Sequence, residues 1–469
     1  NVLLVFIFFY LLLVVGAFTN LVAGVLANPI VPLGIIALAL LGVLGGQMLY
    51  RMKADLVLVT LITVGGTLVC VLLNADAGGA VAGVFRGFNG ALNSLAPKGI
   101  TTVLNPLLPA AQQNVPITVS FIFWLLFLLL FCYFGAVLPI WRYAQPVNYI
   151  GFWITALTIV LGGLGAFLAF FIKPEVSTFK LPGFVGFGGP ASLAASGAIQ
   201  PLWPMLFVTI ACGAISGWHA LIGSVGTSRQ IENEEDMLPV GGGAMFSEFT
   251  LGLLSLLALA VAAKPGAAVG MFASGIGGFL SVFGIPTTYG TAIGFAAFVV
   301  IVITVTQLVF RLMRVTLAEG LGDRSPIFRN VHFNTLISMA AAFLLNITGT
   351  FIYIYQLFGA SNQLMASLSL IVVTVWLAST KRNPTYAGIP AVFMYVTTMA
   401  ATLVTIYNLY NTIVTKAASG IAVGGAIITM VIGAIIFVAA VMIGLDALRA
   451  YRRNTEAPAA AAKPAPAPA

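Results

Sequence analysis

The chain alternates long apolar runs with short polar punctuation, and the runs have the length that crosses hydrocarbon. They fall at residues 1–27, 31–50, 56–73, 117–140, 150–172 and 203–222, then at 240–263, 291–312, 336–357, 364–376, 389–413 and 421–445. The pattern predicts an all-α polytopic membrane protein of about twelve transmembrane helices. Residues 270–286 are short, glycine-rich and bounded by turn residues, which predicts a re-entrant or interfacial hairpin in place of a further crossing.

One run breaks its own pattern. Between Ala211 and Gln230 the apolar sequence admits Gly213, Ser216, Gly217, Trp218, His219, Gly223, Ser224, Gly226, Thr227 and Ser228. Peptide groups freed by glycines at membrane depth must pair inside protein or face a wet cavity, because lipid offers them no partners. A discontinuous helix is expected here, with Ser216, Gly217, Trp218, His219, Ser224, Thr227 and Ser228 as candidate substrate-binding residues. An imidazole titrates near neutral pH, so His219 is also a candidate proton carrier. The plainer alternative is that His219 bonds a neighbouring carbonyl and the glycines only permit close helix packing.

Three further polar groupings lie in apolar surroundings. Glu248 follows Gly241-Gly242-Gly243 and sits about two turns inside the next span, where it can accept a transported proton or serve as a static partner of Arg229. Thr304, Gln307, Arg311 and Arg314 share a helix face; Gln307 is deep enough to line a coupling path, while the arginines snorkel to the border. Residues 356–364 read as a tight non-helical link between spans, and Asn362 and Gln363 in it are candidate substrate-binding residues of a second discontinuous element. The acidic run 233–236 reads as a solvated turn capping the helix that follows.

Composition agrees with the pattern: 60% of the 469 residues are hydrophobic and 7% are charged, a balance no charged soluble shell allows. The excess of 20 Lys and Arg over 12 Asp and Glu would suggest nucleic acid in a soluble protein. Here it marks topology, because cationic loops stay cytoplasmic. Arg51 and Lys53, Arg142, Arg229, the arginines from Arg311 to Arg329, Lys381 and Arg382, and Arg449 to Arg453 fall on one side. The loops at 28, 74–116, 173–201 and 359–361 fall on the other, with Lys98, Lys173, Lys180 and Lys264 dissenting. A multi-pass protein of the inner (cytoplasmic) membrane with a cytoplasmic C-terminus is expected, residues 1–451 forming the transporter domain and 452–469 a disordered Ala/Pro-rich tail. The chain opens on Asn1 without a basic n-region, so neither a signal peptide nor a natural start is seen.

Enzyme chemistry finds little to work with. His219 and His332 are the two histidines, and no HExxH, GxSxG or Walker A pattern occurs. Cys70, Cys132 and Cys212 lie in apolar runs without metal-ligand spacing. No cofactor, metal or nucleic acid is expected; the expected partners are a small-molecule substrate and the lipid bilayer.

Five stretches carry a resemblance: Pro201 to His219; Asn233 to Asp236 with Gly243-Ala244-Met245 and Glu248; Leu138 to Trp141 with Gln145-Pro146; Arg311 with Arg314; and Leu357-Phe358-Gly359 with Asn362-Gln363-Leu364. In these the chain resembles the carbon starvation A (CstA) family of membrane transporters. The resemblance implies a cytoplasmic-membrane importer linked to nutrient starvation, carrying pyruvate or small peptides, with a fold related to the amino acid-polyamine-organocation (LeuT-like) transporters. It also shows departures. The family's Arg-Asp after Gln145-Pro146 is Val147-Asn148, its Asp further on is Gln307, and its Ser-Ser-Gly-Thr-Thr is Gly223-Ser224-Val225-Gly226-Thr227. The family's N-terminal helices are not seen.

The expectation is therefore a secondary active transporter, a proton-coupled symporter of a small carboxylate nutrient. Half-helix amides would hold the carboxylate and His219, Glu248 and Gln307 would lie on the coupling path. The alternatives are a non-transporting membrane sensor or scaffold of the same architecture, a sodium-coupled amino acid or peptide carrier, and a passive channel.

Overall fold

The computed structural model describes residues 2–104, 114–184, 186–189, 197–210, 213, 215–262, 267–414 and 420–456. Among them, eleven helices are long and apolar enough to cross a membrane. In chain order these begin with α1 (Val2–Leu26), α2 (Pro32–Tyr50) and α3 (Leu56–Leu73), each ended by a polar or glycine-bearing turn. The loop of residues 74–116 holds an amphipathic helix, α4 (Ala80–Ser94), and a β-hairpin, β1 (Thr101–Leu104) with β2 (Asn114–Ile117), paired antiparallel so that Thr101 faces Ile117. Sequence periodicity did not resolve these two elements. Then come α5 (Val119–Val137) and α6 (Ala144–Ile172).

The run at 203–222 forms two short helices, α7 (Leu202–Thr209) and α8 (Gly217–Val225), followed by a 3-10 turn at Thr227–Arg229. Beyond the exposed acidic turn Glu234–Asp236, α9 (Gly243–Val261) crosses the bundle. The expected hairpin at 270–286 is a single helix, α10 (Ala268–Leu280), with a 3-10 turn at Ser281–Phe283. At about 1.5 Å per residue it spans about 20 Å, less than hydrocarbon thickness. The remaining helices are α11 (Thr287–Leu321), α12 (Val331–Thr348), α13 (Phe351–Ser379), α14 (Thr385–Leu409) and α15 (Gly420–Glu456).

Two expectations are corrected. Residues 356–364 are not a link; they lie in the middle of α13, and the chain turns instead at Gly349 and Thr350. The polar density that suggested a loop reflects buried partners within the bundle. Residues 452–456 continue α15 as helix, and the rest of the expected disordered tail, 457–469, lies outside the described residues.

The core is organised around α1. Phe6, Tyr10, Leu11, Leu13 and Val15 are wholly buried against α5, α11, α13 and α15. The outer helices behave oppositely: Leu40, Phe167, Phe170 and Phe171 are well exposed. Apolar surface on that scale would aggregate in water and is stable against acyl chains. The protein is a multi-pass membrane protein.

Candidate functional site

The chain leaves helical geometry just ahead of α8: Ser216 is extended, with φ −113° and ψ 123°. Such a break exposes amides and carbonyls that an unbroken helix would have paired internally. Side chains of α13 supply partners. Asn362 Oδ1 accepts the Trp218 N–H at 3.1 Å and the Tyr10 hydroxyl at 2.9 Å. Gln363 Nε2 donates to the Phe207 carbonyl at 2.6 Å. Nearer the start of α13, Gln356 Nε2 donates to Gln200 Oε1 at 3.2 Å, and Asn408 of α14 clamps both the N–H and the carbonyl of Ile199 at 2.8 Å. Ser216 Oγ caps the new helix by accepting the His219 N–H at 3.5 Å.

The first amides of α8 are thus already engaged. The expected carboxylate cradle of half-helix N–H groups is occupied at Trp218 and His219 by the protein's own oxygens.

Gly217 has a packing reason. A Cβ there would collide with the Asn362 carbonyl and with Met365 Cβ, so only glycine lets α8 approach α13 this closely. Gly223, by contrast, faces open space.

Beside the break lies a cavity of about 580 Å³ bounded by α1, α6, α8, α9 and α11. Most of its wall is apolar, and the polar groups in it are few. His219 Nε2 lies 3.1 Å from Glu248 Oε2, and both side chains reach the cavity, with 43% and 24% of their surface exposed. Glu248 thus meets His219, not Arg229, the static partner weighed from sequence. Trp218, Ser247 and Thr250 complete this face, and Tyr10 also lines the cavity. Because Tyr10 holds Asn362 as well, the cavity wall and the paired break are joined through one phenol.

Of the residues singled out from sequence, Trp218, His219 and Glu248 reach the cavity, while Ser216, Gly217, Asn362 and Gln363 build the break beside it. Ser224 and Ser228 bond back to helix carbonyls of Ala220 and Ser224, and Thr227 lines a separate surface depression with Gln230 and Asp236. Gln307 is fully buried against Gly135 and donates to Asn148 Oδ1 at 2.9 Å, while its neighbours Val302 and Val305 face the cavity. The two amides standing where the resemblance implied acids therefore meet each other. Sequence reasoning missed Tyr10, Ser247 and Thr250. Ser247 was legible as a hydroxyl beside Glu248, whereas Tyr10 sits in an ordinary apolar run and carries no local signal.

Comparison with known proteins bears on the same stretches. The profile of the family described as "Carbon starvation protein CstA" matches residues 1–269 and 260–401. A peptide transporter CstA of Bacillus subtilis is 28% identical over 362 residues, 66% of this chain and 58% of that protein. A pyruvate/proton symporter, BtsT, of Escherichia coli is 33% identical over 136 residues, 29% of this chain and 18% of the relative. A peptide transporter CstA of Mycobacterium tuberculosis is 35% identical over 127 residues, 27% of this chain and 16% of the relative. The alignment spans less than two thirds of these relatives. All three are named as transporters, in keeping with a chain that is not an enzyme. With the broken α7–α8 segment, the His219–Glu248 pair and the α13 amides all inside the matched residues, the chain belongs to the carbon starvation protein CstA family.

Proposed function

We propose that this protein carries a small carboxylate-bearing nutrient, of the pyruvate or short-peptide class, across the cytoplasmic membrane by proton-coupled symport. The observation that carries the reading is the His219–Glu248 pair, 3.1 Å apart in the wall of a mostly apolar cavity beside the extended Ser216. An imidazole sharing a proton with a carboxylate inside the bilayer is a costly arrangement that serves proton or substrate movement. Cargo would enter with its carboxylate toward His219, since the amides of Trp218 and His219 are occupied. Its approach would weaken the imidazole's hold on Glu248, so that cargo and proton binding depend on each other. Ser224, Thr227 and Ser228 would act on the exit side and Gln307 behind the cavity wall. The paired helices α7 and α8 fit a LeuT-like discontinuous element, with α13 as the scaffold against which it moves.

Uptake of labelled pyruvate and of labelled dipeptides into proteoliposomes, with and without an imposed pH gradient, tests this. Gradient-driven accumulation of either cargo is expected. Accumulation driven by sodium alone would favour a sodium-coupled carrier. The neutral Asn148–Gln307 pair favours one other reading, a non-transporting sensor of the same architecture. Ligand-induced thermal stabilisation with no counterflow would select it.

A further inference from the structure

We propose that the pocket between the end of α11 and the start of α12 binds the phosphate headgroup of an anionic phospholipid. The pocket encloses about 320 Å³ and is lined by Arg314, Glu319, Arg329 and Asn334 with the apolar residues Val315 and Val331. At about 1.5 Å per residue, Arg314 stands about 40 Å along α11 from Thr287, so a helix entering the roughly 30 Å of hydrocarbon near Thr287 has left it by Arg314. Basic pockets between helix ends at this depth match lipid phosphates in both charge and position.

The donors are available. Arg314 makes no ion pair among the described residues, and its buried Nε has no partner. Its neighbour on the same face, Arg311, is by contrast committed to the Gly135 and Leu138 carbonyls that end α5. Arg329 spends Nε on the Gly322 carbonyl at 3.0 Å and one terminal nitrogen on Asp323 at 3.4 Å, in a highly exposed pair that solvent weakens. A planar guanidinium suits a phosphate diester by presenting parallel N–H groups. Asn334 braces the pocket from beneath: its Nδ2 donates to the Arg314 and Phe328 carbonyls, and its buried Oδ1 has no partner among the described residues. Exposed Val315 and Val331 in the lining offer apolar surface to the start of the acyl chains. Glu319 is the carboxylate in the lining and disfavours a headgroup of higher negative charge.

Native mass spectrometry and thermal unfolding of the detergent-solubilised protein test this with phosphatidylglycerol, phosphatidylcholine of the same chains, and inorganic phosphate. Phosphatidylglycerol should be retained and should raise the unfolding midpoint, with phosphatidylcholine doing neither. Retention should weaken about tenfold in Arg314→Gln, the loss of one charged hydrogen-bonding group. It should be unchanged in Arg449→Gln, whose arginine pairs with Asp446 at 3.2 Å in α15. Equal retention of both lipids by the unsubstituted protein overturns the proposal without recourse to any variant. So does undiminished phosphatidylglycerol binding by Arg314→Gln. Stabilisation by inorganic phosphate equal to that by phosphatidylglycerol assigns the pocket to a free anion and overturns it as well.

Discussion

Gly217 and Asn362 meet where α8 leaves the break, and each is needed for a different reason. Gly217→Ala drives a methyl into the Asn362 carbonyl and Met365; overpacking of this kind costs about 1–3 kcal/mol. A lower unfolding midpoint is expected, and an unchanged one would mean that α8 can shift away freely. Asn362→Leu leaves the Trp218 amide without the acceptor it uses now, at a cost of about 1–3 kcal/mol, whereas Tyr10→Phe removes only a donor and should cost about 1 kcal/mol. Comparing the two midpoints checks that order. At the cavity, the proposed symport requires that His219→Ala and Glu248→Gln each lower proton-driven uptake by about tenfold or more, the effect of losing a charged hydrogen-bonding group. Wild-type rates in His219→Ala would remove the histidine from the site.

At the scale of elements, α13 works as the spine of the broken segment. Gln356, Asn362 and Gln363 project from one helix to Gln200, Trp218 and Phe207, holding the lead-in, the start of α8 and the end of α7. The Oε1 atoms of Gln356 and Gln363 are buried with no partner among the described residues, so each amide holds this segment through its Nε2 alone. Gln363→Met removes the donor to the Phe207 carbonyl and should loosen the end of α7 against α13. The measurement is the unfolding midpoint, expected to fall by the equivalent of about 1 kcal/mol, and an unchanged midpoint would refute the idea. The sequence showed that 356–364 is polar within an apolar run, but periodicity cannot distinguish a polar loop from a helix whose amides are buried against another chain segment. The stretch 211–230 was legible as unusual because glycines clustered with hydroxyls inside a span weaken the helix where lipid cannot pair the freed peptide groups, and Ser216 within it is extended. Its extent was not, since residues 217–225 recover helical geometry once Ser216 and Asn362 cap them.

For the whole molecule, one contact constrains the path of the chain. Arg311 binds the carbonyls of Gly135 and Leu138, so the end of α5 and the far part of α11 lie at the same face. An even number of passes must join them. The long helices α6, α9 and α11 give three, and α10 is too short, so α7 and α8 together are expected to make the fourth. Reporter fusions in the loop at Arg142 and after Arg324 should then read the same side, and opposite readings would show that α7–α8 turns back within the bilayer. The sequence alone determined the membrane class and the position of most long spans, because both follow from local hydrophobicity. Tertiary structure decided which polar residues face the cavity and which serve the backbone. Glu248 finds His219, Asn362 finds Trp218 and Tyr10, and Gln307 finds Asn148 across separations that no spacing rule encodes, since such pairs form only where helices distant in sequence pack together.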